Sequence, residues 1–281
     1  MLRNQHTVPA GAILLAMVFP TALTLTYFVL LAGTPGWLQQ AVYVVGKTLQ
    51  FAFPALVVTV MRVRPGGSRA AGAAPRLSRR LAGLARQQAQ RLTLRFRQLS
   101  SPRSGWFRRQ VSWLSFGLAF GLLVLAGMFG LYEWLWQGNP VFADATQAIR
   151  QKIIGLGIGR LWMYAAVGVF YALCHSGLEE YYWRWFVFGQ LRSREPLARA
   201  VAISSLAFMA HHVILLATFF GWASPWAYVF SLGVAVGGAV WAWLYDRSGS
   251  LVSPWLSHLV VDAAIFLVGF DLARDLLSGP A

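Results

Sequence analysis

The strongest constraint on this sequence is a series of apolar runs, each long enough to cross a bilayer. They cover about Ala10–Ala32, Gln40–Met61, Val111–Trp136, Ile153–Leu191, Leu197–Phe220, Trp226–Tyr245 and Leu251–Phe270. A helix of roughly 20 apolar residues spans the hydrocarbon core. In lipid the backbone must bond to itself, so such runs form helices. Only 12% of the 281 residues are charged and 57% are hydrophobic, against about 25% charged for soluble domains. A soluble enzyme, a disordered chain and a disulfide scaffold are all excluded. The single cysteine, Cys174, cannot form an internal disulfide and sits in an apolar run as a small hydrophobe. The expectation is an all-α, polytopic transmembrane helix bundle of seven or eight spans. The first run is too long for a signal-peptide core and reads as a retained span.

The uncertainty in the count lies in Ile153–Leu191. As one helix it would be about 60 Å long, twice the hydrocarbon thickness, and Ser176-Gly177 is the expected joint. Residues 1–61 hold two spans, with Lys47 near one end of the second. Residues 111–152 hold a third span and a loop. Residues 153–270 form the remaining core, and 271–281 a tail. Pairs Gly117/Gly121, Gly155/Gly159 and Gly233/Gly237 have the spacing of close helix packing.

The net charge of +15 is localised, with thirteen arginines between Arg62 and Arg109 and no acid before Glu133. Basic residues mark cytoplasmic loops, which puts the N-terminus and residues 62–110 in the cytoplasm and loop 137–150 outside. Nucleic acid is not the expected partner. Leu77, Leu81, Leu84, Leu92, Phe96 and Leu99 recur at helical spacing. Segment 62–110 is therefore either a solvated loop or an amphipathic helix on anionic lipid.

Ionisable residues inside spans are costly and mark function by default. Almost all of the unexplained ones fall in three places: Glu179, Glu180 and Arg184; His211 and His212; His258 and Asp262. Glu179 lies 13 residues before Arg192, and His212 lies 13 after Arg199, about 20 Å each. His258 lies 11 after Arg247, about 16 Å. All three places thus come to a similar depth. Glu180 and Arg184 share a helix face at i,i+4 and pair as a structural ion pair. Glu179 points about 100° away, without a local partner, and is the candidate to take a proton from water. His258 and Asp262 are again i,i+4, so Asp262 orients the imidazole or lies beside the reacting group. His211 is about 100° from His212 and is expected to face elsewhere. His175 has no motif partner. The plainer reading of each residue alone is a satisfied core group.

The pattern Glu-Glu-x-x-x-Arg (Glu179, Glu180, Arg184), Phe-x-x-x-His (Phe208, His212) and His-x-x-x-Asp (His258, Asp262) resembles the CPBP family. This is the type II CAAX prenyl endopeptidase and bacteriocin-processing group, also called the ABI family. The resemblance covers about Ile153–Phe270 and implies a glutamate-type intramembrane endopeptidase. Glu179 would activate water and His212 would position it or pass protons. His258 and Asp262 would line an oxyanion site, with Phe208 packing the motif. The family position of Asp262 is often Asn. An ionised Asp would repel an oxyanion, so an orienting role toward His258 is the expectation. The implied partner is a membrane-associated peptide or protein, lipidated or not. No cofactor is expected. The alternative is a zinc-dependent protease with Glu179, His212 and His258 as ligands. Two further alternatives are a non-catalytic binding or immunity protein and, ranked lower, a proton-coupled transporter. The H-E-x-x-H, G-x-G-D and G-x-S-G signatures of other membrane proteases are absent.

Overall fold

Residues 8–63 and 105–277 are described in the computed structural model, and the tract expected as a loop or surface helix at 62–110 lies almost wholly outside them. Seven helices are long and apolar enough to cross a membrane: α1 (Ala10–Leu30), α2 (Gly36–Val60), α3 (Arg108–Trp136), α5 (Leu161–Arg192), α6 (Leu197–Phe220), α7 (Pro225–Ser248) and α8 (Val252–Leu272). A shorter helix, α4 (Ala143–Gly155), lies between α3 and α5. Among the described residues there is no strand. The protein is an all-α polytopic membrane protein, with seven candidate spans among the described residues. Its outer face is apolar, with Leu14, Val44, Leu123 and Trp162 exposed; on a soluble monomer so much exposed hydrocarbon would be a liability.

The count is seven because the break in the long apolar run is not at Ser176-Gly177. It falls at 156–160, where Gly157 takes a left-handed φ of +69° that a side-chain-bearing residue adopts at a cost. Ser176 and Gly177 lie inside α5, where the Ser176 hydroxyl donates to the Ala172 carbonyl. A Cβ on Gly177 would come within 3.2 Å of the Trp255 indole nitrogen, so this glycine serves a close approach. The extra length of α5 is accommodated by π-helical winding at Phe170–His175 and Tyr181–Phe188, on either side of Ser176–Glu180. Such winding commonly marks functional sites. The expected loop 137–150 also differs, since α4 begins within it.

Only one of the three glycine pairs packs a helix. Gly117 and Gly121 of α3 meet the backbone of Ser253 and Ser257 of α8, whereas Gly155, Gly159 and Gly233 have open space and Gly237 meets only Trp241 of its own helix. A Cβ on Gly117 would lie 2.6 Å from both the Ser253 carbonyl oxygen and its Oγ. The backbone atom cannot swing aside. Gly117→Ala is therefore expected to destabilise the bundle by about 1–3 kcal/mol, read as a lower unfolding midpoint in detergent.

One end of the bundle joins Arg192 to Asp246 at 3.0 Å and Arg199 to Glu195 at 2.9 Å. Above it sits a core of Tyr182, Trp183, Phe186, Phe208, Trp241 and Leu244. The other end is clipped by Arg150 of α4, whose two terminal nitrogens donate to the Asp275 carboxylate at 2.6 Å each. These bonds hold the Asp275 carboxyl below its ordinary 3.8, at about 2. A depressed carboxyl contributes stability that is complete above its unfolded value and lost as pH falls through the folded one. The clip should persist from neutral pH to about 4 and release toward 2. A carbon-13 titration of Asp275 should give that low midpoint, and Arg150→Gln should return it to the ordinary value.

Candidate active site

The three polar places converge, and they bring in residues that the motif spacing did not select. Glu179, 3% exposed, lies in the short α-helical stretch between the two π segments. Three imidazole nitrogens surround its carboxylate, the Nε2 atoms of His175, His211 and His258, each at 3.8 Å. The gap exceeds a direct hydrogen bond. It suits a bridging water, because contacts of this length between polar groups are commonly water-mediated.

His211 and His175 therefore face Glu179, contrary to expectation. The His211 ring stacks on Trp183, 5.8 Å between centroids and 4° from parallel. His175 is one turn before Glu179 on α5 and meets Phe51 of α2 edge-on at 6.0 Å. His212 lies beside His211, with ring centroids 4.1 Å apart. Its Nδ1 is 3.0 Å from the Phe208 carbonyl oxygen. A carbonyl only accepts, so the proton is on Nδ1 and Nε2 carries a free lone pair.

Glu180 is wholly buried and holds two partners through one oxygen: Arg184 Nη1 at 3.0 Å and His258 Nδ1 at 2.8 Å. The expected ion pair is present and also fixes a histidine. With Nδ1 donating to Glu180, His258 turns Nε2 toward Glu179 and toward Asp262, whose Oδ1 is 3.5 Å away. Glu180 makes the shorter contact, so it is the main orienting group of His258 and Asp262 the lesser one. Trp241 stacks on the His258 ring at 4.1 Å. The Arg184 guanidinium lies 4.6 Å from the Phe208 ring centroid and 5.0 Å from that of Trp241. Phe208 thus joins Arg184 to the histidine cluster, since its ring also lies within 6.2 Å of the His258 ring. The Trp241 indole in turn donates to Ser257 at 3.0 Å.

Among the described residues, no group of three or more His, Cys, Asp or Glu side chains is arranged to hold a metal ion. Nδ1 of His258 is engaged by Glu180, and Nδ1 of His212 by the Phe208 carbonyl.

Residues 159–264 match the family described as type II CAAX prenyl endopeptidase, Rce1-like. That segment is similar to the Rce1-like core of the CAAX-protease family. No curated protein and no solved structure matches it. The Rce1-like segment contains every motif residue from Glu179 to Asp262, together with His175 and His211. It leaves out α1 to α3. At family level this match supports a CAAX-protease-like membrane endopeptidase, and the peptidase reading of the sequence rests on the same match.

Proposed function

We propose that the protein hydrolyses a peptide bond of a membrane-associated peptide or protein, using water activated by Glu179. The observation that carries this is the buried Glu179 carboxylate facing three imidazole nitrogens at 3.8 Å with no direct cationic partner at hydrogen-bond distance. A water bridging these groups loses its proton to Glu179 as oxygen attacks the scissile carbonyl. His258 acts as the imidazolium among the carboxylates of Glu179, Glu180 and Asp262: Nδ1–H donates to Glu180 and Nε2–H donates to the developing oxyanion. The proton on Glu179 passes to the leaving amine, with the lone pair of His212 as the relay. Catalysis by this route needs no metal, since base, relay and donor are all side chains of the cluster.

Peptide hydrolysis inside a bilayer needs water held away from lipid, and a bundle interior lined by Glu and His supplies that. The Arg-rich end faces the cytoplasm on the positive-inside rule, and tract 62–110 meets anionic lipid there. The test compares C-termini of membrane proteins in cells holding equal amounts of wild type or Glu179→Gln. Fragments made only by the wild type support hydrolysis and name the substrate. Identical termini with both proteins folded would leave a binding role in its place.

A further inference from the structure

Lys47 is the lone lysine or arginine of the second span, and it lies outside the family match. It is not near the end of its helix. It sits 11 residues from Gly36 and 13 from Val60, about 16 and 20 Å from the two ends. A lysine stem does not reach headgroups from that depth. The ammonium lies 5.7 Å from the Tyr43 ring centroid and 5.4 Å from that of Phe51. No hydrogen bond or ion pair joins it to any described residue. One turn on, Gln50 is 1% exposed, and neither its amide nitrogen nor its oxygen has a partner. Residues at i and i+3 share a helix face, so α2 carries a cation held only against aromatic rings and an amide without a hydrogen bond to any described residue.

This face adjoins the catalytic cluster. Phe51, over which the ammonium sits, touches His175, and His175 Nε2 is 3.8 Å from Glu179. Lys47 and Glu179 are within electrostatic reach of each other but are not paired. Lys47 is half-buried at mid-span, where a cation is normally paired, and a buried amide such as Gln50 is normally hydrogen-bonded. Both conditions would be met by one extended peptide bearing an anionic group.

We infer that Lys47 and Gln50 form a substrate subsite in which the ammonium binds a carboxylate of the peptide and the Gln50 amide bonds its backbone. The inference rests on Glu179 as the hydrolytic centre, because it places that carboxylate within a few residues of the cleaved bond. The carboxylate is either the free C-terminus or an Asp or Glu side chain. Lys47 here is a specificity residue on a helix the family match does not include.

The test uses Glu179→Gln protein in phosphatidylcholine nanodiscs and three palmitoylated peptide libraries randomised over their last residues. The first ends in a free acid, the second in an amide without acidic residues, and the third in an amide with one Asp or Glu. Retention of the first or third library should exceed that of the second by about tenfold, and whichever is retained names the source of the carboxylate. Adding Lys47→Met should erase the preference, and Lys47→Arg should keep it. Equal retention of all three libraries, or a preference that survives Lys47→Met, overturns the inference. Wild-type cleavage of the same libraries separates this from the hydrolytic reading. Cutting without carboxylate preference removes the subsite alone. Selective retention without any cutting removes the protease reading alone.

Discussion

Glu179→Gln is expected to lower the cleavage rate by about 10²–10⁴-fold, the usual contribution of a positioned base, while the protein still folds. Glutamine has nearly the same shape and keeps an oxygen toward His175, His211 and His258. It cannot hold the proton taken from water. Fold is preserved because Glu179 carries no short ion pair; its three imidazole contacts are all at 3.8 Å. Glu179→Asp is the sharper companion. It keeps the charge but withdraws the carboxylate by one methylene, and misplacement by about 1 Å can cost 10²-fold. Both variants should show unfolding midpoints near wild type and sharply reduced turnover. A Glu179→Gln protein that cleaves within a few-fold of wild type would remove Glu179 as the base.

The contrast between what spacing foretold and what folding added is clearest within single helices. The common depth of Glu179, His212 and His258 was legible because an α-helix rises by a fixed 1.5 Å per residue, so distances from basic span ends translate into depth. Azimuth was less legible. His211 and Glu180 were each placed by a 100° rule that treats a helix as having one functional face. The site is instead a cluster packed among α5, α6 and α8, and adjacent residues can join it from two sides. His211 reaches Glu179 while His212, one residue on, bonds the Phe208 carbonyl. The joint in the long run was misplaced for a related reason. Ser-Gly is a plausible break in an isolated helix, but Gly177 is needed for Trp255, and the chain breaks at Gly157. The glycine pairs make the same point. Their spacing is identical, yet only Gly117/Gly121 has a partner backbone in contact. Lys47 and Gln50 carried no motif, and a lone lysine near the start of an apolar run reads as an end-marker until the helix is seen to begin at Gly36.

Arg184→Ala is expected to cost about 3–5 kcal/mol, the usual penalty for removing one partner of a buried ion pair. That is roughly a fifth or more of the stability of an ordinary domain, so folded yield should fall steeply. The reason is what remains. Glu180 is 0% exposed and its second oxygen already has no hydrogen-bond partner. Losing the guanidinium leaves a buried carboxylate held by His258 alone. The stack on Phe208 and Trp241 is lost as well. Arg184→Lys should recover only part of the loss, because an ammonium lacks the planar fork that stacks and pairs together. The informative variant is the double change Glu180→Leu with Arg184→Met, which removes both charges and keeps the volume. Replacing a buried pair by hydrophobic groups is often neutral or stabilising, so this protein should fold better than Arg184→Ala. Its turnover should nevertheless stay low, because His258 loses the acceptor at 2.8 Å that turns Nε2 toward Glu179. A rise in stability without a return of activity would separate the two duties of Glu180, holding Arg184 and orienting His258. Recovery of both together would reduce Glu180 to a structural anion and leave Asp262 to orient the histidine.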